Sequence, residues 1–227
     1  MYFSRITLNP AADQQGFAQS LCHDSYREHQ ILWQLFESNP DAKRDFLYRQ
    51  VLEQGQIKYY ILSERKPVND SGIWVIEPPK EYDPQLYKDQ KLVFNLRVNP
   101  VITAVGSNGK KQRHDVVMHA KKQLGYRQMS DADKPSIQQL VQDSCLNWLG
   151  SRAANNGFSI QAGAVTVDGY QQHRTETKKL KHRVSFSSVD FQGVLAVTDP
   201  QLFRKVLFDG IGKAKAFGCG LFLVKQL

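Results

Sequence analysis

The end of the chain, residues 210–220, reads GIGKAKAFGCG and runs directly into the apolar segment Leu221 to Val224. Four glycines in eleven residues exclude a helix interior, because each Gly there costs about 1 kcal/mol relative to Ala. The stretch is therefore a loop that delivers a closing strand. Glycine permits positive φ and close approach to the main chain, so successive N–H groups can form a concavity for anionic oxygens. With Lys213 and Lys215 interleaved, the implied ligand is phosphate. The nucleotide folds do not fit: Lys213 is followed by Ala214 rather than Ser or Thr, and no long helix follows the glycines. A structural reading stands beside the phosphate one, in which Gly210 terminates a helix while Gly218 and Gly220 admit a tightly packed strand.

A net charge of +8 and a pI of about 9.3 favour polyanionic partners. The chain of 227 residues is long enough for one large or two small domains. Cys22, Cys145 and Cys219 are far apart and odd in number, which fits neither a disulfide framework nor a zinc site. No cofactor and no metal are expected. No window approaches the roughly 20 apolar residues that span a bilayer, so a soluble, cytoplasmic protein without a membrane partner is expected.

Tyr2 to Leu8 reads as a strand stopped by Asn9 and Pro10. Ser25 followed by Glu28 forms a capping box, so a helix is expected from an N-cap at Ser25 to about Phe36. Phe46 to Val51 and Ile57 to Ser63 flank Gln54, Gly55 and Gln56 as a hairpin. Ile73 to Glu77 is a short extended run, and Pro78, Pro79 and Pro84 mark a linker, with a domain boundary near residue 90. Leu92 to Val98 is a further strand. Pro135, Ser136 and Gln139 start a second helix with Ile137, Val141, Cys145 and Trp148 on one stripe. Phe158 to Val167 and Arg183 to Val197 are strand-rich, and Asp199 with Pro200 opens a helix to about Phe208. From about residue 92 the order is strand, helix, strand, strand, helix, strand, the ferredoxin-like pattern. The N-terminal half offers a less complete version.

The capping box puts Tyr26 and His29 three apart at a helix start, on neighbouring positions of one face. Free N–H groups and the positive dipole end attract phosphate there and disfavour imidazolium, keeping the histidine near neutral. That pair suits acid and base work on RNA. The alternative is that His29 packs at the edge of the apolar stripe of Leu32, Trp33 and Phe36. His23, before the cap, reads as an exposed loop residue. Residues 173–183, HRTETKKLKHR, set Arg174, Lys178, Lys179, Lys181 and Arg183 against Glu176 alone, between two strands. Such a tip is either a solvated edge or a contact for a phosphate backbone. Lys110, Lys111 and Arg113 form a smaller basic turn. No RNP1 pattern occurs, which argues against stacking of single-stranded bases and for a hairpin ligand read by backbone and shape.

GIGKAKAFGCG closely resembles the glycine-rich loop of the CRISPR repeat-RNA endoribonucleases, specifically the CasE subunits of type I-E Cascade. MYFSRI at the N-terminus, EHQILWQLF around His29 and FNLRVNP at Phe94 to Pro100 agree with the same family, so the resemblance spans the whole chain. It implies an α+β fold of two tandem ferredoxin-like domains, here residues 1–90 and 91–227. It implies Tyr26 and His29 as catalytic residues. A basic hairpin would grip the repeat stem, here Arg174, Lys178, Lys179, Lys181 and Arg183, although this loop departs from that of other members. The glycine-rich loop, Gly210, Gly212, Lys213, Lys215, Gly218 and Gly220, would also hold RNA. The implied activity is metal-independent cleavage of precursor CRISPR RNA at the stem base by attack of a 2′-hydroxyl, with other Cascade subunits as partners. The rival expectation is a non-catalytic RNA-binding or scaffold subunit of the same assembly.

Overall fold

The computed structural model describes residues 1–11, 25–36, 44–105, 109–175 and 184–227. The first sheet is built from β1 (Tyr2–Leu8), β2 (Phe46–Glu53), β3 (Gln56–Ser63) and β4 (Trp74–Ile76), in the order β2-β3-β1-β4, with β5 (Lys80–Glu81) pairing the start of β1. All of these pairings are antiparallel. Helix α1 (Ser25–Trp33) lies between β1 and β2 in the chain. The hairpin of β2 and β3 closes on Gln54 and Gly55, both at positive φ, 52° and 76°, as a two-residue turn matched to strand twist requires. This is the ferredoxin-like strand order without the second helix, because β3 reaches β4 through residues 64–73, which hold no helix.

The second sheet is complete. It comprises β6 (Lys91–Val98), β9 (Phe158–Thr175), β10 (Val184–Val197) and β11 (Phe222–Gln226), ordered β11-β6-β10-β9 and antiparallel throughout. A hairpin of β7 (Val101–Val105) and β8 (Lys111–Asp115), followed by α2 (Val116–Gln123), is inserted after β6. The two helices of the ferredoxin-like unit are α3 (Ile137–Ala153) and α4 (Pro200–Asp209). Their starts are set locally. The Ser136 side chain accepts from the Gln139 amide at 3.0 Å, and Asp199 Oδ1 accepts from Gln201 and Leu202 with Pro200 in the first turn. Val141, Cys145 and Trp148 are buried as the stripe predicts, but Ile137 is 46% exposed. It lies in the first turn, and Leu140 and Leu149 fill the interior instead.

Strand alternation sorts the side chains of β6 and β10. Leu92, Phe94, Leu96, Val189 and Phe191 join the helices in one core, while Asn95, Arg97 and Asp190 occupy the opposite face. The first sheet buries Ile6, Phe46, Tyr48, Tyr59 and Ile61 with Leu32 and Leu35 of the α1 region. Its other face contributes Leu47 and Leu62 to a third cluster that includes Leu221 and, more exposed, Phe208 and Leu223. The sheets thus share an apolar seam.

A buried ion pair crosses the same seam. Arg97 grips Asp190 with two hydrogen bonds of 2.8 Å, and Arg49 of β2 reaches the same carboxylate at 2.9 Å and Asn95 at 3.1 Å. Burial pushes the Asp190 pKa up, but the two guanidiniums outweigh it and hold the group below its ordinary value. Arg49 is 3% exposed, so losing its partner leaves a dehydrated charge. Asp190→Ala should therefore cost about 3 kcal/mol or more, read as an earlier urea midpoint with unchanged slope, and Asp190→Asn should fall between that variant and wild type.

Candidate active site

Helix α1 begins at Ser25, one residue earlier than an N-cap there implies, and the capping box expected from Glu28 does not close, because the Glu28 carboxyl turns inward to Tyr48. The last turn tightens after Trp33 into i→i−3 bonds that end at Phe36. Glu28, Ile31 and Leu32 point inward and are buried, whereas Tyr26 and His29 are half-buried on one side of the first turns. His29 and Trp33, four apart, meet on the helix surface, and the indole Nε1–H donates to His29 Nε2 at 2.9 Å. An indole can only donate, so Nε2 supplies the lone pair and the neutral ring carries its proton on Nδ1. Nδ1 is buried and has no partner among the described residues. Burial, followed by the positive charge of Arg44, pushes the His29 pKa down to about 4. The imidazole is thus neutral near pH 7, as expected from the helix start, but dehydration is the main cause.

The rest of the site is contributed from far away in sequence. The His29 ring packs against Phe46 of β2, at 6.3 Å between centroids, and against Phe217 of the glycine-rich loop, at 6.2 Å. Phe217 stacks on Phe186 of β10 at 5.0 Å, and Phe186 stacks on His173 of β9 at 4.6 Å. A column of four rings therefore joins the helix start to the paired strands that carry the basic run. Arg174 is exposed at the end of that pair; Lys178, Lys179, Lys181 and Arg183 lie outside the described residues, as does His23.

The glycines of residues 210–220 are largely committed to the protein. A Cβ on Gly220 would stand 2.6 Å from the Ile211 carbonyl oxygen, and one on Gly218 would stand 3.1 Å from the Tyr48 ring. Both residues have positive φ and are buried. The Gly220 amide donates to the Arg97 carbonyl and the Gly210 amide to that of Val206. These two N–H groups are already engaged, so the loop is a close-packed reversal first and not an open nest of amides. Gly212 remains partly accessible and Lys213 is exposed. Lys215 bends back to donate to the Asp209 carbonyl at 2.6 Å, and burial lowers its pKa from the ordinary value.

Arg44 has no sequence motif around it and was not legible as a site residue. Its guanidinium is half-buried, Nε has no partner among the described residues, and burial lowers its pKa. Its charge acts on both His29 and Lys215. Beside it lies a cavity of about 460 Å3 that Arg44 and Lys215 line together with the carboxylates of Asp45, Glu64 and Asp209, of which Asp45 is paired with Arg65. Two cations and a neutral imidazole thus converge where α1, the start of β2 and the glycine-rich loop meet, a grouping suited to an anionic ester. A mainly apolar cavity of about 600 Å3 between the sheets, bordered by Phe3, Tyr60, Val93 and Leu223, contains none of these groups. Among the described residues no helix is long and apolar enough to cross a membrane.

Comparison with known proteins agrees with this architecture. A family model described as CRISPR associated protein matches residues 1–226. The chain is 28% identical over 229 residues to the CRISPR system Cascade subunit CasE of Escherichia coli, covering all of both chains. It is 27% identical to the CRISPR-associated endoribonuclease Cse3 of Thermus thermophilus, covering 99% of each. Its fold is similar to that of a CRISPR endoribonuclease Cse3 bound to a 19-nucleotide RNA, with a TM-score of 0.72 at 23% identity, over 99% of this chain and 100% of that one. Matched along all but its final residue, the chain belongs to the CRISPR-associated protein family.

Proposed function

We propose that the chain is a metal-independent endoribonuclease that binds the CRISPR repeat stem-loop, cuts precursor CRISPR RNA at the stem base and stays with the mature guide in Cascade. The observation that carries this reading is the neutral His29, set with Arg44 and Lys215 against the glycine-rich loop. The full-length likeness to CasE and Cse3 supports it. On this reading residues 1–90 and 91–227 are two ferredoxin-like domains, with the reaction at their seam, and the protein works in the cytoplasm.

The 2′-hydroxyl 5′ to the cut attacks the adjacent phosphorus and expels the 5′-oxygen, leaving a 2′,3′-cyclic phosphate. The nucleophile belongs to the RNA, so no metal-bound water is required. His29 moves a proton and Tyr26 positions or assists. In the RNA-free protein the one ring lone pair is engaged by Trp33, so His29 accepts a substrate proton only when that bond is exchanged. Arg44 and Lys215 are suited to hold the reacting phosphate, and Gly212 with Lys213 to follow the backbone. Arg174, Lys178, Lys179, Lys181 and Arg183 grip the stem. Gly210, Gly218 and Gly220 serve the RNA by shaping the loop. A second reading, a non-catalytic RNA-binding subunit, is favoured by one observation: His29 already packs between Phe46 and Phe217 with Nε2 satisfied.

The two readings part in a cleavage assay. His29→Ala should lower single-turnover cleavage of repeat RNA by about 100-fold or more, the scale of general acid or base assistance, with RNA affinity nearly unchanged. A folded His29→Ala protein that cuts at the wild-type rate excludes His29 from the reaction. Replacing only the nucleotide 5′ to the cut by its 2′-deoxy form should stop cleavage while binding survives, and a chelator should change nothing. Cutting of the 2′-deoxy RNA at the same position would rule out internal attack. Finally, the His29 ring resonances in the RNA-free protein should titrate with a midpoint of about 4. Arg44→Ala should move that midpoint up, since a repelling cation is gone, yet not to the ordinary value because burial remains.

A further inference from the structure

We propose that Glu28 is a positioning residue of this site: in its protonated form it donates to the Tyr48 hydroxyl, Tyr48 donates to the Ala216 carbonyl, and the relay holds residues 215–217 of the glycine-rich loop against His29. The proposal rests on the endoribonuclease reading for its consequence in cleavage but not for the relay itself.

Donors and acceptors around Tyr48 match one to one when Glu28 carries a proton. The Tyr48 oxygen lies 2.9 Å from Glu28 Oε2 and 3.2 Å from the Ala216 carbonyl oxygen. Both neighbours are acceptors when Glu28 is ionised, and a phenol has one proton to give. Tyr48 is fully buried and Glu28 is 6% exposed, so water is poorly placed to supply the missing donor. A proton on Glu28 resolves the conflict: carboxyl to phenol, phenol to carbonyl, each oxygen satisfied in turn. Glu28 Oε1 has no hydrogen-bond partner among the described residues, and no ion pair to Glu28 occurs among them. Apart from Tyr48 itself, the Tyr59 hydroxyl, which also hydrogen-bonds this carboxyl, and the charge of Arg97, nothing among the described residues offsets the burial of a charge here.

The groups that bear on this carboxyl come from every element packed against it. Tyr48 lies on β2, Tyr59 on β3, Arg97 on β6 and Cys219 in the loop, with neutral His29 beside it on α1. Burial pushes the Glu28 pKa up to about 7 against the opposing effects of Tyr48, Tyr59 and Arg97. The charge of Arg97 is already answered by Asp190, and burial pushes the Cys219 thiol up to about 12, so it is uncharged. Ionising Glu28 would draw the Tyr48 proton to itself and leave the Ala216 carbonyl without that donor. Ala216 precedes Phe217, whose ring lies 6.2 Å from that of His29, so the loop would loosen beside the reacting group.

Three variants test this: Glu28→Gln, whose amide donates to Tyr48 at every pH, Glu28→Ala, and Tyr48→Phe. Measured against Glu28→Gln at each pH, so that any titration of His29 in the complex cancels, wild-type single-turnover cleavage should fall about tenfold from about pH 6 to about pH 8, as a group of pKa about 7 loses its proton. Glu28→Ala and Tyr48→Phe should be slow throughout. A stability readout covers the case in which a variant misfolds or the wild type does not cut at all. A folded-state pKa raised above the unfolded value means stability present at low pH and lost as pH rises through the interval between them. Melting temperatures should therefore show Glu28→Gln gaining on wild type from about pH 4.5 to about pH 7. Parallel melting curves of Glu28→Gln and wild type against pH, or a wild-type to Glu28→Gln rate ratio that stays constant from about pH 6 to about pH 8, would overturn the proposal. If both proton readouts appear but His29→Ala cuts normally, the relay stands and His29 is excluded from the reaction; if the melting readout appears but the wild type does not cut repeat RNA, the relay stands and the endoribonuclease reading fails.

Discussion

The carboxylate of Asp190 between two guanidiniums is the interaction on which the arrangement of the two sheets turns. Arg49 belongs to the first sheet, Arg97 and Asp190 to the second, and Arg49 is too deeply buried to rely on water. A charge in that position tolerates only a docking in which it meets its counter-ion. The apolar seam around Leu47, Leu62 and Leu221 supplies burial free energy but little direction. The ion pair supplies the register. Arg97 also accepts the Gly220 amide on its backbone oxygen, so the residue that fixes the seam also anchors the glycine-rich loop. Helix α1 then meets that loop as a consequence of how the sheets dock.

The glycines carry a double constraint that a linear reading separates into alternatives. Packing accounts for Gly220, where a Cβ would collide with the Ile211 carbonyl, and backbone conformation for Gly218, whose φ of 72° adds to a tight fit beside the Tyr48 ring. A loop drawn this tightly onto β2 presents Phe217 to His29 and turns Lys213 outward. The structural reading and the functional one are therefore successive statements about one feature: the backbone fits closely so that the side chains between the glycines are held at the seam. What the structure removes is the open nest of amides, because Gly210 and Gly220 already donate to Val206 and Arg97.

What was legible in the sequence was local. Ser136 with Gln139, Asp199 with Pro200, and Gln54 with Gly55 each complete their device within three positions, and all appear where expected. The ferredoxin-like order follows from element succession and short connections, and the second sheet obeys it in full. Ile137 fell outside the core because a helical stripe does not say which of its turns meets the interior. The site was legible only at its two ends, Tyr26 and His29 at a helix start and lysines among glycines. Its middle depends on pairs distant in sequence: Tyr48 with Ala216, Phe186 with Phe217, Arg44 beside Lys215. No periodicity or cap marks such residues, since each joins the candidate site only through a neighbour that tertiary packing provides. The neutrality of His29 was anticipated from the helix dipole, yet burial and Arg44 are its causes.

Those causes make the site conditional on its substrate. A base of pKa about 4 is a poor proton acceptor near neutrality, because catalytic assistance is greatest when the pKa lies near the working pH. A phosphodiester seated between Arg44 and His29 would reverse the balance. Its negative charge would favour imidazolium directly, and by pairing with Arg44 it would cancel the cation that now disfavours it. The penalty of burial would remain but would be opposed, so the His29 pKa would rise toward neutrality only in the complex. On the endoribonuclease reading, an imidazole tuned in this way would stay unprotonated in the free protein and become a stronger base where a phosphate is held. On the same reading discrimination would reside partly in the chemical step: an RNA that binds the basic run at residues 174–183 without delivering its phosphate to Arg44 would leave His29 at its resting pKa and remain uncut.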